Sequence, residues 1–171
     1  MTLFLPPLAA ALCLFAAHAP SADAGSERLE SALRATGLNY STNASGLSYT
    51  LLFDHPGGRK QTIYVSRNTN KVQGILTHTL YTTVWIGRTP PDEALMKRVL
   101  SQTEKLGGFY VYKDQNDNWA IRFSVHFDAT DLYESSASGD TPVKALKDRI
   151  LFVNQVGEKT DKELNGNTDI K

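Results

Sequence analysis

The sequence predicts an α+β domain, in which helices pack on a mainly antiparallel sheet of about five strands in the order α-β-β-β-α-β-β-α. Two observations lead to this prediction. Several short segments alternate apolar and polar residues and are separated by turn-forming residues, which is typical of antiparallel strands. Other segments repeat apolar residues at helical spacing, and such helices can cover the apolar face that alternating strands create.

The first half of the chain predicts one helix and three strands. Ser26 is a suitable cap for the first helix, and Gly37 is a suitable end. Three segments of alternating polarity then predict strands: 47–54, 61–66 and 72–86. The third segment is longer than a usual strand, so we expect a bend or bulge within it. The stretch "RNTNK" before it, residues 67–71, predicts a turn.

The second half predicts two helices with two strands between them. Residues 89–92, "TPPD", combine a hydroxyl cap, prolines and an acid, and so predict a helix that covers 90–106. Two strands follow at 109–113 and 118–127, joined by a polar tip. After an acidic loop, "TP" begins the last helix. One face of that helix is apolar: Val143, Leu146, Ile150 and Val153.

The strand at 118–127 predicts which face of the sheet is buried. Five apolar side chains share one side of it: Trp119, Ile121, Phe123, Val125 and Phe127. We expect them to point into the core beneath the first and last helices, where each contributes roughly 1.5–3 kcal/mol by burial. His126 and Asp128 fall on the other, polar side.

The N-terminal segment predicts export to the bacterial periplasm or the exterior. Residues 3–17 are almost wholly apolar but shorter than the roughly 20 residues of a membrane span. Ala22-Asp23-Ala24 then offers an A-x-A cleavage motif. The predicted division is a signal peptide at 1–24 and a single domain at 25–171, with its core at about 27–157 and a polar tail at 158–171. Because no Lys or Arg precedes the apolar run, an uncleaved anchor is the alternative.

Composition narrows the classes of function. Cys13, the only cysteine, lies in the predicted signal peptide, so the mature domain is expected to lack disulfides and cysteine nucleophiles. The formal charge is 0 for the whole chain and becomes +1 when the segment that contains Asp23 is removed. This balance predicts no nucleic-acid partner and, after removal of the signal, no stable membrane insertion.

The polar hairpin tip offers the nearest match to a metal motif. Asp114, Asn116 and Asn118 have the spacing of the first three ligands of a calcium loop. Trp119, however, stands where that loop needs glycine, and Val125 stands where it needs a bidentate glutamate. The tip is therefore predicted to be a solvated turn, and neither a metal nor another cofactor is expected.

The histidines are the remaining candidates for chemistry. His126 and Asp128 share a face of their strand, so the carboxylate could orient the imidazole as in a catalytic triad. No G-x-S-x-G serine supplies a nucleophile, however. We therefore expect no enzyme and no catalytic residues. The alternative is a small periplasmic metal-assisted or acid/base enzyme that uses His78, His126 and Asp128, with His55 as a further ligand.

The C-terminal part of the chain resembles a known family. A helix ending in "LSQTEKLGG" leads into "FYVYKDQNDNWAIRFSVHF", an acidic loop follows, and "TPVKALKDRILFV" completes the pattern. With the order of elements over about 27–157, this is similar to the YbjN-type domains, which share the type III secretion chaperone-like fold. The resemblance implies a protein-binding or regulatory module without catalytic residues, often paired through its sheet or central helix. Chaperones of this fold are cytoplasmic and usually acidic, so export and a neutral charge favour a periplasmic binding role instead.

Together these features predict an exported, non-enzymatic protein-binding or chaperone-like, regulatory module of the bacterial envelope. Its expected partner is a second copy, giving a homodimer, or an unidentified envelope protein. A structural envelope protein without a small ligand is a further alternative.

The predicted partner-binding residues lie on the odd-numbered, mostly polar face of the strand at 72–86. They are its large side chains: Ile75, Tyr81 and Trp85. Aromatic residues on a polar face are enriched where proteins meet. The alternative is that the helix at 90–106 folds back and covers this face with its apolar stripe: Leu95, Val99 and Leu106.

Overall fold

The computed structural model describes residues 22–102, 106–134 and 140–166. These residues form ten elements: α1 (Ala22–Ala35), β1 (Ser41–Thr42), β2 (Ser48–Asp54), β3 (Lys60–Val72), β4 (Ile75–Gly87), α2 (Glu93–Leu100), β5 (Gly108–Lys113), β6 (Trp119–Asp128), α3 (Thr130–Glu134) and α4 (Asp140–Asn165). The strands form one antiparallel sheet in the order β1-β2-β3-β4-β6-β5. The prediction of an α+β fold with an antiparallel sheet is confirmed. The strand beyond the expected five is β1, whose two residues are too few to show alternation.

The helices pack on one face of the sheet, which we call the inner face. α4 crosses the central strands β3, β4 and β6, and α1 lies beside it on β3. α2 joins the same apolar core through Val99, which is completely buried. Among the described residues, no helix is both long and apolar enough to cross a membrane.

The core face predicted for β6 is confirmed for four of its five side chains. The buried ones are Ile121, Phe123, Val125 and Phe127. Trp119, at the start of the strand, is half-buried. The ring of Phe123 lies 5.0 Å from that of Phe109 and 5.9 Å from that of Phe152 on α4. Phe123 therefore joins the sheet to the last helix, as expected.

The turn predicted at 67–71 lies elsewhere. β3 continues through this stretch to Val72, with a register shift between Val65 and Thr69 that accommodates the polar residues. The chain reverses instead at Gln73 and Gly74, whose φ angles are 52° and 87°. Two successive positive φ angles are what a tight two-residue hairpin requires, and glycine adopts them without strain.

The bulge expected in the long strand is present in β4. Thr83 pairs with Arg122 and Trp85 pairs with Ile121, so that Val84 is the extra residue. Paired residues of neighbouring strands project from the same face. Trp85 consequently faces the core with Ile121, although simple alternation places it on the opposite side.

The first helix begins earlier than predicted. α1 starts at Ala22, so Ser26 lies within the helix and does not cap it. The Ser26 hydroxyl instead accepts a hydrogen bond from Nε of Arg67 at 2.7 Å. This contact fastens α1 to β3, and it is a tertiary interaction that helix-capping rules do not predict.

The second helix is shorter than predicted. Asp92 is its cap, and the Asp92 carboxylate accepts a hydrogen bond from the backbone N–H of Leu95 at 2.7 Å. The helix ends at Leu100 instead of continuing to residue 106. Leu106 is therefore exposed and takes no part in the apolar stripe.

The last helix is longer than predicted and continues past Gly157 to Asn165. The predicted polar tail thus supplies the final turns of α4. Arg59, buried immediately before β3, donates a hydrogen bond to the buried carboxylate of Asp161 at 2.5 Å. This ion pair holds the end of α4 on the sheet. The two residues are far apart in sequence, so no local pattern predicts their pairing.

Candidate functional site

The opposite face of the sheet, which we call the outer face, carries none of the described helices. The helices bury their apolar side chains with the inner-face residues of the strands. On the outer face, Leu52 of β2 is 54% exposed and Tyr110 of β5 is 38% exposed. Large side chains thus remain open to solvent on a surface that spans the sheet.

A row of four side chains crosses the centre of the outer face: Tyr64 of β3, Tyr81 of β4, Arg122 of β6 and Tyr112 of β5. The rings of Tyr64 and Tyr81 are stacked, with centroids 5.0 Å apart and planes inclined by 13°. The guanidinium carbon of Arg122 lies 4.9 Å from the ring centroid of Tyr81 and 4.1 Å from that of Tyr112. Both distances are those of cation–π contacts. We call these four residues the tyrosine–arginine row.

The register of the strands builds this row. Tyr64 pairs directly with Tyr81, so both rings project from the same face at neighbouring positions. Arg122 pairs directly with Tyr110. Tyr81 and Tyr112 are therefore diagonal neighbours of Arg122, within reach of a long side chain. Four strands contribute, and a slip of one residue in any pairing would separate the side chains.

Arg122 makes no hydrogen bond and no ion pair with any residue in the described part of the chain, and its Nε is buried without an acceptor. Its positive field extends to Asp114. The pKa of Asp114 lies below its usual value, chiefly because of the backbone hydrogen bond from Asn118 and least because of Arg122. Since arginine stays protonated in proteins, the row contains a permanent cation between two rings.

The three predicted partner-binding residues do not form one patch. Tyr81 belongs to the tyrosine–arginine row. Ile75 is exposed beside the β3–β4 turn, six residues along the strand and so about 20 Å away. Trp85 packs against the core because of the bulge, and does not share the exposed line. The alternative, in which the helix at 90–106 folds over this face, is not observed either, since α2 buries Val99 on the inner face. The role of these residues in binding stays a prediction.

Sequence analysis did not select Tyr64, Arg122 or Tyr112. The alternation of polar and apolar residues in the two C-terminal strands already pointed to two of them, Arg122 and Tyr112. Arg122 is the one permanently charged residue on the polar face of the strand at 118–127, and Tyr112 shares its parity with Tyr110. The missing information was the register between strands, which decides that these side chains meet.

The histidine constellation of the alternative enzyme is not assembled. His78 is completely buried on the inner face, whereas His126 pairs with Thr79 on the outer face and is exposed. The carboxylate of Asp128 accepts a hydrogen bond from the backbone N–H of Thr130 at 2.9 Å, a local contact just before α3. The geometric requirement of that alternative, convergence of His78, His126 and Asp128, is therefore not met.

His78 takes part in a buried polar contact between β4 and α3. Its Nδ1 lies 2.9 Å from the carbonyl of Ser66, and its Nε2 lies 2.5 Å from the hydroxyl of Tyr133. Burial lowers the pKa of His78, so the ring is neutral near pH 7. Because a carbonyl only accepts, Nδ1 carries the proton and Nε2 accepts from Tyr133. Burial raises the pKa of Tyr133 to about 12, which keeps its hydroxyl protonated.

The hairpin tip between β5 and β6 is a turn, as predicted. Oδ1 of Asp114 accepts hydrogen bonds from the backbone N–H groups of Asn116 at 2.8 Å and Asn118 at 2.9 Å. This is the local bonding of an Asx turn. Elsewhere, His55 bonds to the side-chain amide oxygen of Asn154 at 3.0 Å. In the part of the chain that the structure describes, no three His, Cys, Asp or Glu side chains are grouped to hold a metal ion.

β5 forms one edge of the sheet, next to the tyrosine–arginine row. It pairs with β6 on one side and with none of the described strands on the other. Tyr110 and Val111 are exposed on β5, and Leu106 is exposed just before it. A shallow groove beside this edge is lined by residues 106–110 and 124–126. The outward N–H and C=O groups of such an edge are open to pairing with another strand.

No family model, curated protein or solved structure matches this chain. The resemblance to YbjN-type domains and the chaperone-like fold accordingly stay predictions. The outer face, the tyrosine–arginine row and the free edge of β5 are the features from which a function can be inferred.

Proposed function

We propose that this chain is an exported, non-enzymatic protein-binding module of the bacterial envelope, chaperone-like or regulatory, which binds its partner on the outer face of the sheet. One observation carries the proposal: this face is open to solvent, yet its centre consists of three tyrosines and an arginine. A sheet face that only meets water is typically polar. Aromatic residues and arginine are the types enriched where proteins meet, because they desolvate well and lose little entropy on binding.

The size of the outer face suits a stable interface. The six strands range from two residues in β1 to 13 residues in β3 and β4. At about 3.3 Å per residue and about 4.8 Å between strands, the sheet covers roughly 800 Å². Specific interfaces bury about 800 Å² on each partner. The outer face with the adjoining edge of β5 approaches that area.

The free edge of β5 supports the same proposal. An extended segment can add to such an edge as a further strand, and its alternate side chains would then lie beside Tyr110 and Tyr112. Between Gly108 and Lys113 the edge carries no proline, and its one charged residue stands at the end. Charges and prolines are the usual means of blocking an edge. A second copy paired at this edge would form a homodimer, and an envelope protein would form a heteromer.

The envelope location and the type III secretion chaperone-like fold belong to this proposal. The support for export is the apolar run at 3–17, which lies outside the described residues, and the A-x-A motif that follows it. α1 already begins at Ala22. Cleavage after Ala24 would shorten the helix but would leave Ser26 in place, with its hydrogen bond from Arg67.

A site-specific photocrosslinker tests the proposal. Benzoylphenylalanine replaces Tyr64 in the tyrosine–arginine row, and in a control protein it replaces Leu151, an exposed residue of α4. Both proteins are expressed as full chains in cells and irradiated. We expect position 64 to crosslink a polypeptide and position 151 to give none. Sedimentation of the purified protein then distinguishes a homodimer, which forms alone, from a complex with another protein. Absence of a crosslink from position 64, or equal crosslinking from both positions, would contradict the proposal.

A further inference from the structure

We infer that Arg122, held between Tyr81 and Tyr112, binds a carboxylate that an acidic segment of a partner polypeptide presents to the outer face. This inference rests on the proposed function and names the chemistry of the partner. The carboxylate belongs to a glutamate, an aspartate or a chain end.

The bonding of Arg122 is incomplete without a ligand. A guanidinium has five N–H donors in a planar fork. In the described part of the chain none of these donors meets an acceptor, and Nε is shielded from solvent as well. The contacts with the two rings are cation–π contacts of the guanidinium carbon and use none of the N–H donors in a hydrogen bond. A guanidinium fork that lacks acceptors is complementary to an acceptor with two oxygens, which is the geometry of a bidentate carboxylate.

The charges of the outer face favour an anionic ligand at this point. The residues around Arg122 are uncharged: Thr62, Tyr64, Tyr81, Thr83, Tyr110, Tyr112 and Ser124. Lys60 lies at the margin, and its Nζ is 3.4 Å from a carboxylate oxygen of Asp54. Among the described residues Arg122 forms no ion pair, although its field reaches Asp114 at the hairpin tip. A group of opposite charge is the complement that such an interface needs.

The geometry favours a polypeptide over a single-stranded nucleic acid. Nucleic-acid platforms offer free aromatic faces on which bases stack, along a groove with several cations for the phosphates. Here the rings of Tyr64 and Tyr81 stack on each other, and Tyr81 and Tyr112 each contact the guanidinium. These three rings therefore already have stacking or cation–π partners within the chain. One cation matches one carboxylate but not a chain of phosphates.

The tyrosine hydroxyls supply further donors. The hydroxyl groups of Tyr81, Tyr110 and Tyr112 make no hydrogen bond to any residue that the structure describes. They stand on the same face as Arg122, on the two strands that flank β6. A carboxylate oxygen that accepts from Arg122 can also accept from such hydroxyls, since an ionised carboxylate has about four lone-pair sites.

Two matched peptides test the inference. Both are short, capped, fluorescent peptides of alternating valine and threonine, which favour an extended chain. One carries a single central glutamate, and its twin carries glutamine. The purified exported protein should bind the glutamate peptide at least about tenfold more tightly, the ratio expected when a charge-assisted hydrogen bond is lost. Arg122→Met, which keeps the length of the side chain, should remove this preference. Arg122→Lys, which keeps the charge but loses the fork, should retain only part of it.

Lys60→Met is the control, because it removes a cation of the same face that already has an acidic neighbour. It should leave the glutamate preference unchanged. Equal affinity of the unaltered protein for both peptides, or binding of neither, would overturn the inference even if Arg122→Met fails to fold. Tighter binding of a thymidine oligonucleotide that Arg122→Met abolishes would overturn it as well, by assigning the cation to a phosphate. The crosslinks from position 64 decide the proposed function separately.

Discussion

Gly157 of α4 lies directly against Thr82 of β4, so closely that a Cβ atom on Gly157 would be 2.6 Å from Cγ2 of Thr82 and 3.2 Å from the amide of Gln61. Thr82 is completely buried, and its hydroxyl donates to the carbonyl of Thr62 at 2.7 Å. A glycine inside a helix costs about 1 kcal/mol relative to alanine. Its presence here is explained by the space that it leaves, because the missing side chain lets α4 lie close on the central strand.

Gly157→Ala should therefore destabilise the protein by about 1–3 kcal/mol, the usual cost of overpacking, although the same change in an open helix would stabilise it. The free energy of unfolding in urea measures this. Thr82→Ser removes Cγ2 and keeps the hydroxyl, so it should recover part of the loss in the double variant. Higher stability for Gly157→Ala alone would show that the contact is not tight.

The buried imidazole of His78 should make the protein sensitive to acid. Burial lowers the pKa of His78 in the folded state. Above the unfolded value of about 6.5 the neutral ring contributes its full stability. As the pH falls from there towards the folded pKa, only the unfolded chain takes up the proton, and the free energy of unfolding should fall by up to about 1.4 kcal/mol per pH unit. Urea unfolding between about pH 7.5 and about pH 5 checks this slope.

His78→Gln should flatten that profile while lowering stability at neutral pH. His126→Gln, which replaces an exposed histidine on the outer face, is the matched control. An identical slope in all three proteins would mean that another group governs the acid response.

Phe123→Ala should lower the free energy of unfolding by about 3–5 kcal/mol, because it creates a cavity in the middle of the core that the neighbouring side chains cannot fill. The ring is completely buried between Phe109 and Phe152. Leu151→Ala, at an exposed site on the same helix as Phe152, should stay within about 0.5 kcal/mol. Thermal and urea unfolding measure both. A loss below about 1 kcal/mol for Phe123→Ala would mean that the inner face is not the packed one.

Tyr81→Ala should affect mainly binding and Trp85→Ala mainly stability, although the two residues are close in sequence. Trp85 packs against the core, so its truncation should cost about 2–4 kcal/mol of stability. Tyr81 lies on the open face, and its truncation should cost about 1 kcal/mol or less. Under the proposed function, Tyr81→Ala should weaken the crosslink from position 64 while the melting temperature changes by a few degrees at most. A large stability loss for Tyr81→Ala with an unchanged crosslink would contradict this assignment.

Local patterns in the sequence were sufficient to predict the strands and helices in which apolar residues recur at regular spacing. The alternation at 118–127 predicts both the strand and its buried side, because successive side chains of any strand point to opposite faces. The bonding pattern of Asp114 at the hairpin tip is likewise local, so the turn could be preferred to a calcium loop. The antiparallel sheet follows from short polar connections between such strands.

The tertiary structure decided the features that depend on distant neighbours. The bulge at Val84 turns Trp85 into the core. The ion pair of Arg59 with Asp161 holds on the sheet the part of α4 that lies beyond its predicted end. The tyrosine–arginine row draws on four strands, and whether its members meet is decided by the register of three pairings. Alternation is a property of one backbone segment, whereas register, bulges and ion pairs arise only when separate segments pack together. The sequence alone therefore determined which residues alternate, and only the packing of the sheet determined which side chains share a surface.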